Sequence, residues 1–402
     1  MPTKLLFIIF FISFTSSVGA ISFNEAINLL KDHDIVKSGL ASSEMMKEMA
    51  GANGSWGDPK LKLAAKNYPQ SSLDDRQTPM TGIGIGLSQK ISFTTKYNNY
   101  RKSTEALAKS KHFSAKDKMN MLNKHLWDAI INHRKIKQEL GILNENLEWI
   151  SKILKVSKKL YANGKTSQQA ILDIQIRKSE LESSLSNKEF ELKQIDDFFD
   201  YLIGENNRLD INTVPWKVLE TGGNDGIDFR ELAVKEELAS SEFELSASKL
   251  NFIPDATIGF EYTKRQNIDG NGDFVSASIT FPLPFSGKKY SGYGASVQRK
   301  YSALKKLKNF QKEKRRDQEL LKKEIEKITS ELSILEKKTI KFARNSRTIT
   351  SKSYGLGNST YVELLQSELK LQKILMHKVM LEAKRDIKRA TLKYVKGESL
   401  NE

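Results

Sequence analysis

The 402-residue sequence contains no cysteine. Disulfides, thiolate metal sites and a lipid-bearing N-terminal cysteine are therefore excluded, and packing or assembly alone must hold the chain together. No proline falls between Asn99 and Tyr161, where Gly141 is the single weak point. Beyond the N-terminus no apolar run is long enough to cross a bilayer as a helix. There is no P-loop, nucleophile elbow or GxGxxG. The five histidines (His33, His112, His125, His133, His377) form no i,i+4 pair and join no His/Glu ligand cluster. Met45, Met46 and Met49 stand at helical spacing and read as core. No cofactor, metal or catalytic residue is expected, and the chain is not expected to be an enzyme.

The N-terminus carries the first positive signal. Lys4 precedes an apolar run from Leu5 to Phe14, and Val18-Gly19-Ala20 supplies the small residues of a cleavage site. Half the length of a spanning helix, this run reads as a secretory leader over residues 1–20. The formal charge of +16 suggests nucleic acid at first sight. Its densest stretch, from Lys305, mixes acids among the bases at helical spacing. A solvated helix face is the better account, and no nucleic-acid partner is expected.

Two stretches repeat. "YANGKTSQQAILDIQ" begins at Tyr161 and "YGLGNSTYVELLQSE" at Tyr354, 193 positions later. Before the first, apolar residues recur by threes and fours from Met119 through Leu122, Leu126 and Leu143 to Tyr161, with His133 and Ser157 filling two slots. Such a stripe, kept for six heptads, marks a long coiled-coil helix. Asn163-Gly164 caps it, and a return helix runs from about Ser167 to Leu202 before Gly204. The second half predicts the same: a rod from about Tyr290 to Tyr354, a turn at Gly355 and Gly357, and a return striped by Val362, Leu365 and Leu369. Both motifs are therefore tips of helical hairpins.

Ahead of each rod the period changes to two. Leu61 and Leu63 alternate with Lys60 and Lys62, and Ile83, Ile85 and Leu87 with glycines. Ile258, Phe260 and Tyr262 alternate with Thr257, Gly259 and Glu261, and Val275, Ala277 and Ile279 with Ser276 and Ser278. These are two β-hairpins, at 58–93 and 254–285. Strands of about ten residues, apolar on one face and small or polar on the other, match an outer-membrane barrel. Four strands cannot close one, since about eight is the minimum and an open edge in lipid leaves backbone groups unpaired. The chain must pool strands with copies of itself, and a conducting pore favours three copies and 12 strands. One shorter helix precedes each hairpin, over Ser22–Ala50 and Phe229–Leu250. The division expected is a first repeat at 21–204 with its tip at 161–167, a linker at 205–228, a second repeat at 229–397 with its tip at 354–360, and a tail at 398–402.

In this order, the duplicated Tyr-x-x-Gly tips, the returns ending in Gly204 and Gly397, and the junctions "GLSQKISF" and "SITFPLPFSGKK" resemble the TolC family of outer-membrane efflux proteins. "FPLPFSGKKYSG" and the short C-terminus look most like the branch serving metal-cation pumps, such as CzcC. The resemblance implies a mainly α fold with a membrane β-barrel part: a homotrimer with one 12-stranded barrel and a hollow α-barrel of helices across the periplasm. It implies an exit duct of a tripartite efflux or secretion system, meeting a periplasmic adaptor and an inner-membrane pump at a ring of six tips. The contact residues would be Tyr161, Gly164, Ser167, Tyr354, Gly357 and Thr360. Carboxylates on the second return helix would line a periplasmic constriction: Glu363 takes the first such position and Gln366 the second, with Asp173 matching it on the first hairpin. Ser359 stands where a basic residue would be expected. Lys60, Lys62, Thr257, Glu261, Ser276 and Ser278 would face the barrel lumen. Metal cations or small toxic compounds would be the cargo. The rival reading, a periplasmic adaptor or scaffold without a pore, needs a compact β-domain between its arms, which "YANGKTS" is too short to hold.

Overall fold

The computed structural model describes residues 19–205, 207–220 and 226–401. Of the expected leader, residues 1–18 lie outside these, and Gly19 and Ala20 fall in a short strand. That strand, β1 (Gly19–Ile21), is followed by α1 (Phe23–Lys31) and α2 (Asp34–Asn53), then β2 (Lys60–Lys66), β3 (Gly82–Ile91) and the 67-residue α3 (Lys96–Ala162). A turn leads into α4 (Gln168–Ile203), and β4 (Asn207–Leu209) pairs in parallel with β1. The second half contains α5 (Phe229–Leu250), β5 (Ala256–Arg265), β6 (Phe274–Thr280), α6 (Gly287–Ile334), α7 (Ile340–Gly355) and α8 (Tyr361–Lys396). Helix, β-hairpin, long helix, turn and return helix thus occur in this order twice.

Two expectations for the helices need correction. The helix expected over Ser22–Ala50 is broken after Lys31. Ser22 and Glu25 close a capping box at its start; at its end the Asp32 amide turns back to the Leu29 carbonyl at 3.0 Å, and His33 Nδ1 accepts from the Ile35 amide at 3.3 Å. The second rod is also interrupted, by a π turn over Leu335–Thr339. Leu335 and Ala343 are both buried, eight residues apart. Two α turns take about 7.2 residues, so a wider turn is needed to return Ala343 to the packed side.

The chain divides into two compact units, and both draw on both halves of the sequence. The first comprises residues up to Val36, Lys118–Asp228 and Lys314 onward. One core within it joins Phe23, Ile27 and Leu30 of α1 to Leu126, Trp127, Ile130 and Ile131 of α3 and to Phe199, Leu202 and Ile203 of α4. Trp127 donates its Nε1–H to the Leu400 carbonyl at 2.9 Å, which anchors the C-terminal tail. Where the linker was expected, Val214, Val218 and Leu219 are buried. A second core joins the hairpins: Leu143, Ile150, Ile153 and Leu160 of α3 and Ile174 and Leu181 of α4 meet Tyr354 of α7 and Leu364 of α8.

The second unit, Lys37–Asp117 with Phe229–Glu313, holds one four-stranded antiparallel sheet in the order β2-β3-β5-β6. The two β-hairpins meet through β3 and β5 over ten residue pairs, from Gly82 opposite Arg265 to Ile91 opposite Ala256. Strands β2 and β6 are the edges, each paired on one side only.

Candidate channel wall and hairpin tips

The register sorts the sheet into two chemically distinct faces. Leu63, Ile85 and Tyr262 lie opposite one another across β2, β3 and β5, and Val275 of β6 continues the row. The next row is Leu61, Leu87, Phe260 and Ala277. These side chains are not covered: Leu63 is 69% exposed, Phe260 61%, Ile279 63% and Val275 78%. In water, a contiguous apolar face of this size marks an interaction surface or a membrane. On the other face stand Lys62, Gly86, Glu261 and Ser276 in one row, and Lys60, Ser88, Gly259 and Ser278 in another. Thr257 lies opposite Lys90 on that same face.

Glycine shapes this polar face. Lys62 and Lys66 are on β2 and Glu261 on β5, with β3 between them, yet Lys62 Nζ lies 3.3 Å from Glu261 and Lys66 is also ion-paired to it. The side chains cross β3 because Gly82, Gly84 and Gly86 leave its polar side bare. A Cβ on Gly84 would collide with the Glu261 carboxylate, and one on Gly86 would come within 3.1 Å of its Cγ. Nearer the helices, Asp255 bridges Lys90 at 3.2 Å and Lys96 at 2.8 Å. Alternation on single strands could not reveal this three-strand bridge.

The two tips are built alike. At the first, the Lys165 amide donates to the Leu160 carbonyl at 2.8 Å and the Gly164 amide to Tyr161 at 2.9 Å; at the second, Asn358 donates to Ser353 and Gly357 to Tyr354, both at 2.9 Å. These are Schellman motifs, which place a left-handed residue after the helix. Gly164 has φ +69° and Gly357 φ +81°. Ser167 and Thr360 then cap α4 and α8. The two tips border a cleft of about 630 Å³ whose walls include Lys165, Ser167, Tyr361 and Glu363.

The tyrosines differ. Tyr161 is exposed, so the α3 stripe closes on Leu160 instead. Tyr354 is 3% exposed, and its hydroxyl shares a 2.8 Å hydrogen bond with that of Ser157. It packs one hairpin on the other, and so is withdrawn from the docking residues expected.

Glu363 lies exposed in the capping box of α8. Its carboxylate accepts from the Ser359 hydroxyl at 2.5 Å and the Thr360 amide at 3.0 Å, and these bonds hold its pKa below the usual glutamate value. Ser359, where a basic residue was expected, acts as a donor. Gln366 is exposed one turn on. Asp173 accepts from Gln169 at 2.8 Å and hydrogen-bonds Tyr361, raising that phenol's pKa.

The α8 stripe is corrected too. Val362 is exposed, whereas Leu364, Glu368 and Leu371 are buried. Glu368 is 1% exposed, and burial raises its pKa despite Arg347 at 3.5 Å. Arg347 also reaches Glu145 at 3.2 Å. An acid between two leucines at heptad spacing was the available signal.

Solved structures with this architecture include outer-membrane proteins. The chain aligns with CusC, described in terms of transmembrane channel formation, at TM-score 0.77 and 11% identity, over 94% of this chain and 92% of that one. VceC from Vibrio cholerae gives 0.75 and 14%, over 94% and 96%. The Campylobacter jejuni CmeC outer membrane channel gives 0.73 and 13%, over 94% and 86%. The chain has the TolC-type channel fold. At these identities the likeness is one of fold, and it does not single out the metal-efflux branch. No family model and no curated protein sequence matches the chain. Among the described residues, no group of three or more His, Asp or Glu could hold a metal ion, and no helix is long and apolar enough to cross a membrane.

Proposed function

We propose that three copies of this chain, each an internal duplication, join their sheets edge to edge into one 12-stranded barrel in a Gram-negative outer membrane. The leader exports each copy without lipidation, and the helices extend into the periplasm. The assembly is a passive exit duct for small compounds, delivered by an inner-membrane pump through a periplasmic adaptor. One observation carries this reading: a four-stranded sheet with one face apolar and exposed and both edges unpaired. Lipid covers such a face, and in lipid the edges must find partners. The exposed apolar line on α4, Leu172, Ile176 and Phe190, fits helix packing between copies. Tyr161, Gly164, Ser167, Gly357 and Thr360 would present the adaptor with six similar tips per trimer, Tyr354 supporting them from within. Glu363, Gln366 and Asp173 would face the axis near the closed end.

Fractionation with a heat-modifiability gel tests the assembly. The expected result is an outer-membrane band at trimer mass that resists mild detergent and collapses on boiling. A scaffold would instead wash out as a soluble species, and that outcome would sink the duct.

A further inference from the structure

The polar face of the sheet is not electrically neutral. On β2, Lys60, Lys62 and Lys66 share it with the single acid Glu261, which already bridges two of them. Lys60 is exposed and makes no ion pair among the described residues. At the helix end of the same sheet lies a cavity of about 580 Å³. Its walls include Lys90, Lys96, Lys288 and Lys289, against Asp255 alone. Asp255 is taken by Lys90 and Lys96, while Lys288 and Lys289 have no ion-pair partner among the described residues. Seven lysines therefore face two carboxylates. Asp58, two residues before Lys60, lowers the excess by one. At the far end Arg265 is matched by Asp269 at 2.8 Å. Threefold repetition would set this excess around one axis.

We infer that the barrel wall selects for anions, so that the cargo class the duct fits is small negatively charged solutes. The inference rests on the duct reading above. A ring of like charges with low-dielectric walls behind it concentrates counter-ions and repels co-ions. The glycine row of β3 lets Lys62 and Lys66 reach Glu261 across the wall, so the unpaired charge is carried by Lys60, Lys288 and Lys289. Free metal cations, the cargo suggested by the sequence junctions, would meet a repulsive field. Glu363, kept ionised by its bonds from Ser359 and Thr360, and Asp173 would oppose this at the tips with two negative charges per chain, fewer than the four lysines left on the wall when Glu261, Asp255 and Asp58 are set against seven.

The test is the reversal potential of the purified full chain in planar bilayers under a potassium chloride gradient. The wild type should reverse on the chloride side. Lys60→Glu combined with Lys288→Glu, at two exposed and unpaired positions, should move it toward potassium. Lys264→Glu, exposed on the opposite face by alternation, should leave it in place. A potassium preference in the wild type, no shift in the double variant, or an equal shift with Lys264→Glu would each overturn the anion inference while leaving the duct intact. Absence of any conductance would overturn the duct reading and the inference together.

Discussion

Glu368 shows how a single residue can be placed in the core against its own chemistry. Its carboxylate is buried between the hairpins with Arg347 as counter-charge, Arg177 in the surroundings and Glu145 opposing it. Desolvation outweighs these partners and raises its pKa. Unfolded, the group titrates in the ordinary glutamate range; folded, it keeps its proton to higher pH. Its contribution is therefore complete below the ordinary value and is lost as pH rises through the raised one. Glu368→Gln should flatten that slope in melting curves by circular dichroism and leave stability at neutral pH no lower. Arg347→Ala should cost roughly 3 kcal/mol, because it leaves a buried carboxylate without its partner. A glutamine variant weaker than wild type at pH 7 would show that the ion pair is a net support. The stripe read from sequence ran through Leu365 and Leu369; only the packing of four helices shows that position 368 is buried and that an acid is accepted there.

The helical tips are the elements most legible from sequence, because their signals are local. Tyr-x-x-Gly followed by a hydroxyl cap encodes the Schellman turn and the next helix within about ten residues, and both turns carry it. The π turn at Leu335 and the break at Asp32 are less visible, since each answers the registration of buried faces on other elements. The pairing of β3 with β5 is invisible to alternation, which assigns faces but not neighbours. At the tips the open space around Gly164 and Gly357 means that an added Cβ meets nothing, so strain comes from the backbone alone. Alanine at either position should cost about 1 kcal/mol, from forcing a left-handed conformation. If the tips also dock the adaptor, drug or ion export in cells should fail before thermal stability does. Unchanged export together with a lowered melting point for Gly357→Ala would make the turn structural only.

At the scale of the whole molecule, the proposed duct turns on which face of the sheet would meet lipid. Helices of this length leave much apolar surface bare in one copy: Tyr290 and Tyr301 on α6 and Phe342 and Ile349 on α7 are all exposed. In the proposed trimer, a sheet with the same property on one side and lysines on the other would close into a barrel, because only closure satisfies edge amides in lipid. Arginine scanning separates the faces. Ile85→Arg and Ile279→Arg would put a charge into the bilayer, costing about 2–4 kcal/mol per chain if near the midplane. The heat-modifiable trimer should then dissociate at lower temperature. Thr257→Arg and Ser278→Arg, on the polar face, should assemble normally and push the reversal potential further toward chloride. Equal damage from both pairs would mean that the sheet is covered by protein on both sides, and the barrel would have to be abandoned. Damage confined to the apolar face, with selectivity moving only for the polar one, would assign lipid and lumen in a single series of variants.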